Sequence, residues 1–524
     1  MRAKIYTLFI GLLTCSALFS QGKGPYTINH SAEFENPNNL LLTGTSSYSN
    51  GNTLLTFVTD GSQYEVICPH LDKVTLELFS PELKQIKMTS PDLKSLFPDQ
   101  KSYFGRVAVM NKKSYLCVKQ VFKETKTEGM SAVEFSPTDL TLIGTPIKLY
   151  ESTRGVINGL HHSTLSQDKT KFFYKSDLID KERKNPNIPH EYGFYMFDEN
   201  MKKIWGGEYE IPVKASPIDY LVSNDGKLYY LMKISSETGN SLELFVYDKD
   251  KKDPKVIDIP LENYDYRIPQ LTADNSGNII IVGFYSKKDN PFIDGAYVLK
   301  QDPTTGKFTN FGTGHYKIPF EVIKSHTSDR TKRKLEKKEE KEKDGDESKD
   351  LGVFDLTIRN LSFMDNGSLA IISEVHASAT ITQGASSHSD VAFDEIFIFN
   401  IDATGKLAYI KKIPKRQRGT EGSDDLSISA TVKGNHIHIF YADNPENFNL
   451  NENEPAKSYD NRTNGIITCI DMDEKGEIKK YNLGEMNQFE TRLHIRDLKN
   501  GGNNNLIALE KRKNGNTLYS MDIK

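Results

Sequence analysis

Four groups of residues in this 524-residue sequence have types and spacings that can do chemistry. The first is Asp443, Asn444, Asn447, Asn449, Asn451, Glu452, Asn453 and Glu454, an oxygen-rich run suited to Ca²⁺, a hard cation that takes about six to eight oxygen ligands. Asp443, Asn447, Asn449 and Asn451 are the candidate ligands, although the run lacks EF-hand spacing and Asn/Asp richness is also the composition of a plain long loop. The second group is His376, His388, Asp390 and Asp394, which can supply acid–base or ligand-binding groups from one segment. The third is His436 and His438, two apart in a strand-like run and so on the same side of it. A metal would need a third ligand there that the sequence does not nominate, and packing is the preferred reading. The fourth is DRTKRKLEKKEEKEKDGDESKD (329–350), with nine basic and nine acidic residues. Its basic start, including Arg330 and Lys334, can dock a partner or meet an anionic glycan or lipid. Glu339 four residues before Lys343 favours a short exposed helix, but with little to bury the segment reads more readily as a solvated excursion.

Catalytic signatures do not join these groups. The sequence has no G-x-S-x-G elbow, no H-E-x-x-H and no phosphate-binding glycine loop. DMDEKG (471–476) begins like a calcium loop, but Lys475 stands where an oxygen ligand belongs, so it reads as a turn. Sialidase-type propellers repeat an S-x-D-x-G-x-x-W turn; here Trp205 is the only tryptophan. No cofactor is implied beyond the Ca²⁺ option.

The elements that must position these residues form a repeat. YLVSNDGKLYYLMKI (220–234), LTADNSGNIIIVGFY (271–285), LSFMDNGSLAIISEV (361–375) and ISATVKGNHIHIFYA (428–442) each give a strand, a tight turn centred on Gly, and a more apolar strand. The Asp-Gly, Ser-Gly and Asn-Gly pairs predict two-residue hairpin connections. Each hairpin is followed by a second one, so the unit is four strands, a-b-c-d. Weaker copies precede these, and the last unit, 492–524, has only three strands before the chain stops. Four-stranded units of this length predict an all-β fold, a β-propeller of eight blades, with seven as the alternative if residues 40–90 pair differently. Ile279-Ile280-Ile281-Val282 is apolar on both faces, as a strand sandwiched between neighbouring blades must be. A tandem of β-sandwiches would need longer strands and Greek-key connections. TINHSAEF (27–34) is placed to supply the missing outer strand and close the ring.

DNGSLAIISE, DEIFIFNIDATGKL, KKIPKRQ and HIFYADNPEN, within 361–482, resemble a group of uncharacterised secreted β-propeller proteins common in Bacteroidetes. The resemblance covers the C-terminal third and reaches the remainder only through the repeat. It implies the fold and a Gram-negative envelope setting, and brings no activity and no functional residues.

Composition agrees with a globular, aromatic-rich chain: 25 Tyr and 27 Phe are too many for a disordered one. With 67 Lys+Arg against 71 Asp+Glu there is no electrostatic footprint for general nucleic-acid binding. Residues 1–20 carry Arg2 and Lys4, an apolar run from Ile5 to Leu13, and small residues up to Ser20, the pattern of a secretory signal peptide. A lipid anchor through Cys15 is the alternative, although Thr14 precedes it where such signals want Gly, Ala or Ser. No second apolar span of about 20 residues follows, so no transmembrane segment is expected in 21–524, read as one propeller domain with a charged insertion at about 325–350. Cys68, Cys117 and Cys469 are an odd number at wide spacing, which suits buried small hydrophobes rather than a disulfide framework or a zinc site.

In a propeller the a-b and c-d turns emerge on one face and the b-c and d-a connections on the other. The long excursions, Ile179–His190, Glu321–Val353, His376–Phe393, Lys415–Asp425 and Asp443–Asn464, all fall on the second face. Loop length costs little free energy on either face, so this bias points to an elaborated surface over units five to seven. The sequence therefore reads as a secreted or periplasmic, non-enzymatic binding or scaffold module whose loop-rich face meets an envelope protein or a glycan. The alternative is an envelope hydrolase or lyase acting on polysaccharide or peptide at the central channel mouth.

Overall fold

The computed structural model describes residues 24–524, apart from 35–40, 49–51, 59–73, 156–160, 179–188, 344–351, 489–494, 501–504, 512–514 and some shorter gaps. The signal-like segment 1–20 and Cys68 lie outside the described residues. Eight antiparallel sheets stand in a ring, an eight-bladed β-propeller. Blades 1 to 5 occupy 41–89, 100–155, 161–211, 215–258 and 264–317, each a four-strand meander. The outer strand of blade 8 is β1 (Tyr26–His30). Blade 6 is built on β2 (Leu356–Phe363), β3 (Leu369–Gln383), β4 (Ser386–Ile401) and β5 (Leu407–Ile413), with β6 (Gln417–Thr420) following. Blade 7 uses β7 (Ser429–Lys433) and β8 (His436–Asp443), then, after the short β9 (Tyr459–Asp460), β10 (Ile466–Met472) and β11 (Ile478–Glu485). Blade 8 continues with β12 (Lys499–Asn500), β13 (Asn505–Lys511) and β14 (Asn516–Ile523).

The doubly apolar strands do what their sequence requires. In blade 5, Ile279 and Ile281 pack with Leu231 and Leu244 of blade 4, whereas Ile280 and Val282 pack with Ile371 and Phe399 of blade 6. Ile372 and Ile398 then meet Ile437 and Ile439 of blade 7. Successive side chains thus serve opposite interfaces, and each fully buried one contributes roughly 1.5–3 kcal/mol. Cys117 and Cys469 are buried, unbridged members of such interfaces.

The hairpin turns differ in one respect from their sequence signature. Ser223 O accepts from Gly226 N while Ser223 N donates to Lys227 O, so the loop Asn224-Asp225-Gly226 has three residues. Asp274–Asn278 and Met364–Ser368 repeat the arrangement. Gly226, Gly277 and Gly367 take φ of 86°, 83° and 82°, the left-handed position that ends a three-residue hairpin loop. A two-residue connection occurs in blade 7, where Lys433 pairs with His436 across Gly434-Asn435.

Closure is by the N-terminal segment. β1 pairs antiparallel with β14, Tyr26 opposite Ile523 through His30 opposite Tyr519, with a further bridge from Phe34 to Asn516. Tyr26 is buried between Phe440 and Tyr481 of blade 7, ring centroids 5.9 and 5.2 Å away. Its hydroxyl lies 2.7 Å from His438 Nδ1. His436 and His438 do share one side of β8, their rings stacked at 6.1 Å, and Asp471 Oδ1 lies 2.7 Å from His436 Nδ1 and 3.8 Å from His438 Nδ1. The other flank of blade 8 packs Ile507 and Leu518 against Leu55 and Phe79 of blade 1.

Removing the N-terminal segment uncovers the β14 edge, takes Tyr26 and Ile28 out of the blade 7 interface and takes Phe34 off the blade 1 interface. Tyr26→Ala is expected to cost about 3–5 kcal/mol in denaturant unfolding, and deletion of 21–36 should lower the melting temperature of the whole ring; an unchanged melting curve would refute closure by β1. Burial also pushes the His438 imidazole down to about 4, against the pull of Asp471 and with His436 and Lys433 opposing its charge. As pH falls below about 6.5, the unfolded chain binds a proton at this position that the folded chain refuses until about 4, so stability is lost across that window. Glu77 and Asp443, pushed up by burial to about 7 and about 6, act in the opposite sense. The contribution of His438 is therefore read by difference: the melting-temperature gap between wild type and His438→Gln should narrow from pH 7 to pH 4.5, and a gap that widens contradicts it.

Candidate functional site

Three of the predicted excursions fold together into a second tier on blades 6 and 7. The β3–β4 hairpin runs past the edge of the blade, with pairing from His376–Phe393 out to Gln383–Ser386 after a register shift at Glu374/His376. The chain leaving β5 turns through Pro414-Lys415-Arg416, and β6 takes up pairing with the extended part of β4, Phe393 opposite Gln417 to Asp390 opposite Thr420. From the blade 7 excursion, β9 adds parallel to β6. What reads as three loops is one continuous sheet, β2-β3-β4-β6-β9, with β5 on the side of β4.

A buried ion pair holds the junction. Lys415 and Glu374 side chains are fully buried, 2.8 Å apart. The Lys415 ammonium also donates to Phe393 O at 2.7 Å and Gln417 Oε1 at 2.9 Å. Gln417 donates in turn to Ala442 O at 2.7 Å, and its Oε1 accepts from Ser427 N. Glu374 receives Arg359 Nε at 2.8 Å and the Ser427 hydroxyl at 2.6 Å. Those bonds keep Ser427 in a left-handed conformation, φ 72°, that costs on the order of 1–3 kcal/mol outside glycine. Burial pulls the Lys415 ammonium below its ordinary range and the Glu374 carboxylate pulls it back. The network thus links β2, β3, β4, β6 and β8 to the segment that leads into β7.

The fourth excursion lies beside the second tier. It forms α1 (Phe320–Lys324) and α2 (Asp329–Lys343), the latter begun by Ser328, whose Oγ accepts from Thr331 N at 3.3 Å. Lys412 of β5 donates to Ile323 O and Ser325 O at 3.1 and 2.8 Å, tying the end of α1 to blade 6. Between His326 in the connection after α1, β4, the turn into β6 and the blade 7 excursion is a cleft of about 180 Å³.

The sequence candidates are distributed over this region without converging. His376 stands at the base of the hairpin, stacked on Phe393 with centroids 4.6 Å apart. His388 pairs with Ile381 and Asp390 with Ala379 farther out, which places His388 about 17 Å along the strand from the Phe393 that pairs with His376. Asp394 is engaged in a bidentate pair with Arg418. Arg330 and Lys334 are exposed on the first turns of α2, which is helix where the weightier sequence reading was an unstructured excursion. Of the four calcium candidates, Asp443 and Asn447 come together but bind one another: Asn447 Nδ2 donates to Asp443 Oδ1 at 2.7 Å and to Lys457 O, and its Oδ1 accepts from Lys457 N. Asn449 and Asn451 are exposed and are not among the partners of that pair. Asp473 at the DMDEKG turn accepts from Lys475 N and Glu477 N, turn chemistry as read.

Sequence reasoning missed Glu374, Lys415, Gln417 and Ser427. The available signal was a charged residue, Glu374, inside the apolar run LAIISEV, together with a Lys-Arg pair directly after Ile413-Pro414.

No family model matches the sequence, and no curated protein does. Among solved structures the chain is similar to the β-propeller domain of the trilobed protease from Pyrococcus furiosus, at 10% identity over 86% of this chain and 95% of that one, TM-score 0.35. It is similar to a protein of unknown function from Dyadobacter fermentans, at 8% identity over 95% and 99% of the two chains, TM-score 0.31. A third similarity is to oligopeptidase B from Leishmania major, at 9% identity over 86% of this chain but only 50% of that one, TM-score 0.35.

Lys415→Met leaves Glu374 buried without its principal counter-charge and removes the donor to Phe393 O. It is expected to cost about 3–5 kcal/mol in denaturant unfolding; a loss under about 1 kcal/mol would show that the pair does not hold the junction.

Proposed function

We propose that this protein is an exported, non-enzymatic binding propeller that presents the second tier of blades 6 and 7 to another protein of the cell envelope. The observation that carries this reading is the β2-β3-β4-β6-β9 sheet: insertions from separate connections are fixed into one surface by a buried ion pair. A passive insertion has no need of such a construction, since long loops are tolerated without internal order.

A catalytic reading at the channel mouth finds less support. Several ionisable side chains of the inner strands are engaged in the wall itself. Arg106 donates to Ser163, and Arg267 to Asn290 O and Pro291 O. Arg359 serves Glu374, while Asp219 accepts from Leu271 N and Tyr220 N. Export rests on the signal-like N-terminus, and no helix among the described residues is long and apolar enough to cross a membrane.

The test is capture from envelope extracts by the full chain and two variants. In one, residues 378–391 are replaced by a short turn, removing the hairpin extension; in the other, 329–350 are replaced by a Gly/Ser linker. The second should stay within about 1 kcal/mol of wild-type stability, because α2 is largely exposed. The hairpin variant should lose the captured protein, and the arm variant should hold it more weakly with a shallower salt dependence. Capture that is the same for all three chains, each shown to be folded, would contradict the proposal.

A further inference from the structure

Among the described residues, charge accounting for the lysines and arginines around the cleft beside the second tier leaves one cation over. Lys415 is paired with Glu374, Arg418 with Asp394, and Lys412 with Glu395 at 3.7 Å. Arg416 remains: its side chain is exposed and lines the cleft, and no described ion pair or hydrogen bond uses its guanidinium. Its backbone is nonetheless fixed, because Arg416 O accepts from Tyr459 N at 2.9 Å, and its neighbour Lys415 is anchored in the interior. The side chain is therefore carried by a fixed backbone at the mouth of a formed cleft. Arg418 adds to it. Asp394 and Gln417 O take three of its five N–H donors, which leaves two while the planar group is already oriented.

We infer that this cleft binds a single carboxylate, the C-terminal carboxylate of a partner polypeptide, through Arg416 with Arg418 beside it. Arginine matches a carboxylate with two parallel N–H···O bonds, and capture of a chain terminus is an established mode of peptide recognition. Asp394 and Glu395 line the same cleft, so a dianion such as phosphate meets about twice the repulsion that a monoanion does. Pro414, Pro455 and Ala456 supply the apolar wall, a surface for a short aliphatic last side chain. His326 is the one aromatic ring among the described lining residues; no Trp, Tyr or Phe joins it to stack on a sugar face, which disfavours a uronate-bearing glycan. This inference rests on the binding reading above and names the chemistry of its partner.

The experiment uses the full chain and two pools of random heptapeptides, one with free C-termini and one amidated, with D-galacturonate as a competitor. Free-acid peptides should be retained about tenfold over their amides, the value of a charge-assisted hydrogen bond in a cleft. Arg416→Gln, an exposed substitution, should abolish that preference, Arg416→Lys should restore part of it, and galacturonate should not compete. Equal retention of acid and amide pools, no retention of either, or a preference that survives Arg416→Gln overturns the inference; displacement by galacturonate replaces it with a glycan site. Should the envelope partner depend on the hairpin extension yet bind Arg416→Gln unchanged, the binding reading stands and the carboxylate site alone fails.

Discussion

The Lys415–Glu374 pair is the contact on which the elaborated face depends. Taking two charges out of water is expensive, and the cost is repaid only where geometry and extra hydrogen bonds are good. Here both conditions are met, with Phe393 O, Gln417, Ser427 and Arg359 completing the shell. Such a pair is weak as a source of net stability and strong as a device for registry. It fixes where the chain leaving β5 re-enters the sheet, and so where β6, β9 and the exposed Arg416 must lie.

That device operates on a scaffold whose stability comes from elsewhere. Eight interfaces, each fed by alternate side chains of doubly buried strands, close on themselves through β1. The N-terminal strand contributes more than backbone pairing. Tyr26 reaches across to blade 7, so that the two ends of the chain and a neighbouring blade share one cluster. The burial that makes this contact tight also keeps His438 neutral. A rigid ring of this kind can carry long insertions cheaply, and one face of it does.

Much of the fold was legible in the sequence because it repeats. Gly226, Gly277 and Gly367 punctuate equivalent hairpins, and the apolar runs at 279–282 and 369–372 have the strength of sandwiched strands. The eight-blade count and the closing strand followed from a final unit one strand short. The two-residue turn reading failed because Asp-Gly and Ser-Gly pairs serve both turn classes; the extra residue shows only in the pairing of Ser223 with Lys227. The site was far less legible. Asp443 and Asn447 have the composition of a cation loop and the geometry of a loop staple, which differ only in whether the oxygens face outward. His376 and His388 are close in sequence but separated along an extended strand that the sequence presents as a loop. Lys415 and Glu374, 41 positions apart, could be joined only by knowing that β6 pairs with β4.

The central claim is that the excursions of blades 6 and 7 are one fixed structure rather than three independent loops. Amide hydrogen exchange on the full chain tests it most directly. The account predicts slow exchange at 386–393, 417–420 and 459–460, comparable with the blade strands, and a concerted acceleration of all three segments when Lys415 is replaced by Met, with 264–317 unaffected. Fast exchange of these segments in the wild type, or acceleration of 417–420 alone, would contradict it.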